Sequence, residues 1–383
     1  MLQAAKLARP EKSGQRRAVV IERSDMFANA VKPRVLSTHL RNLGFEVRSI
    51  ESASLGRSGG SGFRRWLPAL RARSMVLYVC DGGQAFARAL LRCWESPLTR
   101  YLNGMTLVWA MLGRGRFLAS ELRGDPFDVL ICESGLDQAV MLYRVATKQV
   151  LDLPSPFGDE LIFANQLSPR SHRHMRNLEE RCLSAGDRVS FHWYTYEEYV
   201  CRHYKANVRW LRCSYGVTEK RARARFSAEP RVVFLGSLRG GWVNLALLER
   251  LSERHSQIDV WGGPPPPKSA AIRYLGYAPS LDILADYQIG LVTITDDPLR
   301  RLSFSSKQLE YFSYGLPVLV PAWRNDPVLA AGTLPYTEDT FLDQVATLAD
   351  RAIWEETSAR ALVLASQLSW EAALRPLTEF LCS

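Results

Sequence analysis

The sequence has little of what marks several protein classes. Its seven cysteines, Cys80, Cys93, Cys132, Cys182, Cys201, Cys213 and Cys382, are odd in number and form no CxxC or Cys/His cluster, which excludes a disulfide scaffold and a zinc module. They are expected to be reduced thiols of a cytosolic protein. No run reaches the roughly 18 apolar residues that a membrane span needs. Residues 1–17 carry Lys6, Arg9, Lys12, Arg16 and Arg17 without an apolar core, so they read as a basic disordered tail and not as a signal peptide. Acidic residues are scarce in one region only. Positions 1–123 hold 21 Lys and Arg against 8 Asp and Glu, whereas the whole chain has 49 against 39.

What is present suits two domains: 383 residues, 47% of them hydrophobic, can bury two cores. The spacing predicts a strand over Ala18–Glu22, a helix from Pro33 to Gly44, and further strands at Phe45–Val47, Ser74–Val79, Phe127–Cys132 and Gln149–Leu153. The same alternation restarts at Arg231–Leu238. It continues through a helix at Asn244–Glu253, strands at Ile258–Gly263, Ile272–Tyr277 and Ile289–Ile294, a helix at Lys307–Tyr314 and a strand at Leu316–Val320. Strands alternating with helices favour parallel sheets, and two such sheets place a ligand between them at their strand ends. The expected division is the 1–17 tail, a first domain over 18–216, a second over 217–360, and a C-terminal helix at 361–383 crossing back to the first. The hinge is expected near Ser214–Glu219.

One segment carries chemistry. In Ser303-Phe304-Ser305-Ser306-Lys307-Gln308-Leu309-Glu310, followed by Gly315-Leu316-Pro317, a helix opens on Ser306 and Lys307 with Glu310 one turn on. Free N–H groups at a helix start and a Lys there stabilise a diphosphate, and a carboxylate at i+3 shares the face, where it accepts sugar or ribose hydroxyls. This segment resembles the donor-binding segment of GT-B glycosyltransferases. Phe234–Leu238, with Ser237 and then Arg239, is similar to that family's phosphate-side loop. Tyr274–Ala278, with Gly276 and Tyr277, is similar to the turn under the nucleotide base. Leu178–Val189 and Ser214–Val217 are similar to the last helix and hinge of the first domain. Asp128–Gly135 resembles a strand and turn of the bacterial glucuronosyltransferases of xanthan assembly.

The resemblance implies an α/β GT-B fold, two Rossmann-like doubly wound domains facing a central cleft. It implies hexosyl or glucuronosyl transfer, without metal, from a nucleotide-sugar donor, UDP-linked in expectation, to a glycan or lipid-linked glycan. No cofactor beyond that donor is expected. Ser237, Arg239, Gly276, Tyr277, Ser306, Lys307 and Glu310 would bind it. For the base, Asp159 is the first choice and Asp152 the second, because a cleft-facing carboxylate takes the acceptor's proton; Glu133 is the third candidate site. The retaining pattern is incomplete, since Leu302 stands where an acid is usual. An epimerase of this fold and a noncatalytic scaffold therefore stay open.

His172, His174 and His192 are read as surface or packed residues, and no metal site is expected. Phe63–Arg73 and Tyr101–Arg123 mix apolar side chains with Arg, which suits an anionic bilayer surface, so a peripheral position on the cytoplasmic membrane face is expected. No nucleic-acid module accompanies the charge.

Overall fold

A computed structural model describes residues 15–22, 31–51, 83–84, 86–87, 89–90, 94–218, 220, 222–238, 242–255, 257–263, 271–303, 305–324 and 326–383. The expected strand Ser74–Val79, the stretch Phe63–Arg73 and the donor-site candidate Arg239 lie outside the described residues.

Strands β1 (Arg17–Glu22), β2 (Glu46–Glu51), β3 (Phe127–Glu133), β4 (Ala146–Leu153), β5 (Arg188–Phe191) and β6 (Trp210–Leu211) form one sheet in the order β2-β1-β3-β4-β5-β6. Every pairing in it is parallel. A parallel sheet is covered on both faces, which is why Ala18, Val19, Val20 and Ile21 are consecutive apolar residues and all buried. Around it lie α1 (Val31–Asn42), α2 (Pro97–Leu122), α3 (Phe157–Phe163), α4 (Pro169–Ala185) and α5 (Thr195–His203). Ser96 starts α2 with a capping box to Thr99, and Ser168 starts α4 with one to Ser171.

The second sheet contains β7 (Val232–Leu235), β8 (Ile258–Trp261), β9 (Arg273–Tyr274), β10 (Ile289–Leu291), β11 (Val318–Pro321) and β12 (Thr333–Tyr336), ordered β12-β11-β10-β7-β8-β9 and again parallel. Its helices include α6 (Leu245–Arg254), α7 (Pro298–Leu302), α8 (Ser306–Ser313), α9 (Phe341–Thr347) and α10 (Arg351–Gln367). A last helix, α11 (Trp370–Cys382), begins after Ser369, whose hydroxyl accepts from the Ala372 N–H. It packs Leu374, Leu377 and Leu381 against Ala18, Val20, Val129 and Ile131 of the first sheet.

The chain thus passes between domains twice, and the two passages touch. Val217 bridges to Ser369; the Val217 N–H donates to the Leu368 carbonyl at 2.9 Å, and the Trp370 N–H donates to the Val217 carbonyl at 3.2 Å. A Cβ on Gly216 would stand 2.8 Å from Trp370 Cα, so this position needs glycine for close approach.

Two sequence expectations need correction. Leu178–Val189 is not the last helix of the first domain: it is the end of α4 and the start of β5, and α5 and β6 follow. Within α2, Leu107 and Met111 are core residues and Arg114 is buried against Asp137 at 2.7 Å, so these three face inward. The outer face of α2 shows Leu98, Leu102 and Trp109. No helix among the described residues is long and apolar enough to cross a membrane.

Candidate active site

A cavity of about 250 Å3 lies between the two sheets. From the first domain it takes Pro154, Ser155 and Glu160, which follow β4, and His192 and Tyr196, which follow β5, with Tyr215 from the passage to the second domain. From the second it takes Gly236 and Ser237 after β7, Arg300 on α7, Ser305, Ser306 and Lys307 at the start of α8, and Arg324 after β11. Both walls are built from the carboxyl ends of parallel strands, where a doubly wound sheet leaves its crevice.

Gly236 makes the second-domain wall possible. Its φ of 130° belongs to glycine, and a Cβ there would stand 2.7 Å from Lys307 Nζ. Lys307 therefore lies directly over this turn, with Nζ 4.5 Å from the Phe234 ring centroid. Burial, with the Arg324 guanidinium nearby, lowers Lys307 to about 8. Glu310 sits one turn further along α8 and forms no ion pair with Lys307. Its Oε2 is buried without a hydrogen bond among the described residues, and burial raises its pKa. Ser306 bonds the Tyr215 hydroxyl.

Ser237, Ser306 and Lys307 are thus brought together on one cavity wall. Gly276 and Tyr277 are not in it. Gly276 stands after β9 with φ 90°, its carbonyl accepting the Gly262 N–H at 2.7 Å, and Tyr277 is 72% exposed.

The carboxylates expected to act as base are placed differently from the sequence reading. Asp159 faces away from the cavity, toward α4 and α5. One oxygen accepts from His172 at 2.5 Å and Arg176 at 2.6 Å, the other from the hydroxyls of Tyr199 at 2.8 Å and Tyr204 at 3.0 Å. Burial works to raise its pKa, but the bonds from His172 and Arg176 prevail and bring it to about 2. A carboxylate so occupied does not collect an acceptor's proton. Asp159 also raises its neighbour Glu179, which burial and this charge push up to about 8.

Asp152 is likewise closed. Its Oδ1 accepts from Lys32 Nζ at 2.6 Å and Ser190 Oγ at 2.5 Å, and its Oδ2 meets His192 Nε2 at 3.2 Å. Lys32 and His192 overcome burial and hold it well below the usual carboxylate range. Glu133, beside Asp152 in the β3–β4 register, is buried and does not line the cavity.

Two titratable groups of the first domain that do face the cavity, His192 and Glu160, were not among the base candidates, His192 having been read as a surface or packed residue. His192 lines it, is held at Nε2 by Asp152, and has its pKa lowered by burial and by Lys32, against the pull of Asp152. Its imidazole is therefore neutral near pH 7. Glu160 also lines it, accepting from Ser155 Oγ, with Arg300 Nη1 3.8 Å away. His192 directly follows the apolar strand β5, and that position is the signal that could have found it; Glu160 stands further from its strand, on α3.

Comparison with known proteins supports this architecture. The sequence matches no protein-family profile and no curated protein. Among solved structures it is similar to sucrose-phosphate synthase from Thermosynechococcus elongatus, with a TM-score of 0.62 at 13% identity over 95% of this chain and 98% of that one. It is also similar to CalG4, the calicheamicin glycosyltransferase, with a TM-score of 0.53 at 13% identity over 96% and 99%. A TarM variant from S. aureus, solved with fondaparinux, α-GlcNAc-glycerol and UDP, gives a TM-score of 0.53 at 12% identity over 70% of this chain and 59% of that one. The chain has the GT-B fold: two Rossmann-like domains facing one cleft.

Proposed function

We propose that the chain transfers a sugar from a nucleoside-diphosphate donor, UDP-linked in expectation, to a hydroxyl of a glycan or lipid-linked glycan. One observation carries the reading: His192 on one domain and Lys307 on the other line the same cavity. Neutral His192, held through Nε2 by Asp152, takes the acceptor hydroxyl's proton on its other ring nitrogen. The freed oxygen attacks the anomeric carbon, and the diphosphate departs toward Lys307, the start of α8 and the Gly236–Ser237 turn. A base on the wall facing the leaving group suits a single displacement with inversion.

Glu310 accepts a ribose or sugar hydroxyl on its buried Oε2, while Gly276 and Tyr277 border the base. Lys307 supplies the positive charge for the leaving group, so the transfer is proposed as metal-independent. The TarM variant, which was solved with both UDP and a GlcNAc-glycerol, supports a nucleotide donor and a glycan acceptor.

The proposed position is the cytoplasmic face of the inner membrane. Leu98, Leu102 and Trp109 on the outer face of α2 would enter an anionic bilayer, with exposed Arg116 at its headgroups.

The test is His192→Asn, measured for transfer and for UDP binding by calorimetry. Loss of a general base predicts turnover lower by about 10²–10⁴ with the fold and UDP affinity retained. Turnover within tenfold of the parent chain would overturn the assignment of His192. Failure of the parent chain to bind any of UDP, GDP or ADP would overturn the donor reading itself.

A further inference from the structure

Two arginines in the cavity are not needed by that mechanism. Arg300 and Arg324 are 5% and 4% exposed, and both line the cavity wall. Arg324 donates through Nη2 to the Ser303 carbonyl at 2.8 Å, while its Nη1 is buried without a hydrogen bond among the described residues. Arg300 leaves both Nε and Nη1 in that state. Its nearest carboxylates, Glu160 at 3.8 Å and Asp297 at 3.6 Å, stand beyond hydrogen-bond reach. Its guanidinium lies over the Trp242 ring.

The two guanidiniums share a neighbourhood. Both act electrostatically on the hydroxyl of Tyr196, which is wholly buried and bonded to Ser303. Burial lowers each arginine to about 10, and Arg324 further depresses Lys307. Buried donors left without acceptors are costly, and although Glu160 and Asp297 act on Arg300 and Asp326 acts on Arg324, none of these carboxylates bonds the open Nε and Nη1 donors. Such an arrangement is stable when a ligand supplies the missing acceptors. A sugar nucleotide's diphosphate carries two negative charges, and Lys307, the α8 N–H groups and the Gly236–Ser237 turn already address it.

We infer that Arg300 and Arg324 form a second oxyanion seat, which takes a carboxylate or phosphate borne by the substrates in addition to the donor's diphosphate. The inference rests on the glycosyl-transfer reading and names the substrate class of the same cavity. A planar guanidinium fork suits bidentate binding of such a group. The oxyanion has two sources, the donor's sugar or the acceptor.

Isothermal titration of the full chain distinguishes them, using UDP, UDP-glucose and UDP-glucuronate, and then citronellyl phosphate added to UDP-saturated protein. If the donor is the source, UDP-glucuronate binds at least tenfold more tightly than UDP-glucose. If the acceptor is the source, citronellyl phosphate binds the UDP-saturated protein. In either case Arg300→Gln or Arg324→Gln removes that gain while leaving the Kd for UDP within twofold; Arg300→Lys, which keeps the charge and loses the fork, retains only part of it. UDP binding with neither gain overturns the seat and leaves the transfer reading standing. The seat is equally overturned if both Gln variants weaken UDP as much as the second group, because the arginines would then serve the diphosphate. No binding of UDP, GDP or ADP by the parent chain overturns both readings.

Discussion

Lys32 and His192 share one carboxylate: Asp152 receives Lys32 Nζ on Oδ1 at 2.6 Å and faces His192 Nε2 with Oδ2 at 3.2 Å. The three residues come from α1, β4 and the end of β5, so the first sheet assembles the trio only when folded. Ser190 completes the carboxylate's shell, Lys32 also donates to the Phe191 carbonyl at 3.2 Å, and the Tyr215 ring packs 5.5 Å from the imidazole.

This trio sets a pH dependence. Burial and Lys32 lower His192, so the acid limb of kcat/KM should fall below the ordinary histidine value of about 6.5. Lys32→Met removes a cation and leaves Asp152 to draw a proton onto the ring, which should move that limb to higher pH. An NMR titration of the His192 ring reads the same shift without turnover. An unchanged ring titration would show that Lys32 does not act on His192. The variant should also lose about 3–5 kcal/mol of stability in urea, as expected when one partner of a buried ion pair is removed.

Donor affinity should depend on Lys307 in the opposite direction. With Lys307 lowered to about 8, the free protein loses this cation as pH rises through that value, so the Kd for UDP should increase between pH 7 and pH 9.5. Lys307→Ala should weaken UDP by about tenfold or more and flatten the curve, consistent with a charge-assisted bond of about 1.5–3 kcal/mol. Calorimetry across this range checks both.

Asp159 should behave as a structural residue. Asp159→Asn should lower stability by about 3 kcal/mol, because His172 and Arg176 lose their shared charge, while turnover per folded molecule stays near that of the parent. Glu179 gives a second readout. Its folded pKa of about 8 lies above its unfolded value, so its stabilising contribution is complete below about pH 4.5 and is lost as pH rises through 8. Asp159 is one cause of that elevation, so the variant should show a shallower loss over this window in denaturant titrations.

Membrane contact should be separable from catalysis. Leu102→Ser with Trp109→Ser removes two exposed apolar side chains from α2 and should weaken sedimentation with anionic vesicles by about tenfold or more, since each buried apolar side chain is worth about 1.5–3 kcal/mol. Turnover on a soluble acceptor should be unaffected. Equal sedimentation of variant and parent would remove α2 from the interface.

Much of the architecture was legible because parallel strands are short apolar runs with fixed punctuation. β1, β3, β7 and β8 each begin within one residue of the run that predicts them, while β4 begins three residues early, at Ala146. β6 escaped because two residues, Trp210 and Leu211, carry no period, and β12 because Pro335 interrupts it. The placement of Ser306 and Lys307 on the second-domain wall of the cavity was legible for a related reason, since they open a single helix. The first-domain wall was not. Asp159 and Glu160 are adjacent on a helix, so their side chains diverge by about 100° and the sequence does not say which one faces the cleft. His192 acquires its partner from 40 positions away and Lys32 meets the same carboxylate across 120, contacts that exist only through strand order.

The bridge between Val217 and Ser369 has a mechanical consequence. Two chain passages fastened side by side leave the domains one axis about which to turn, as two boards do on one pin. Trp193 and Tyr194 also reach Asp326 across the divide, at 2.6 and 3.1 Å, so a turn about that axis has to break these two bonds.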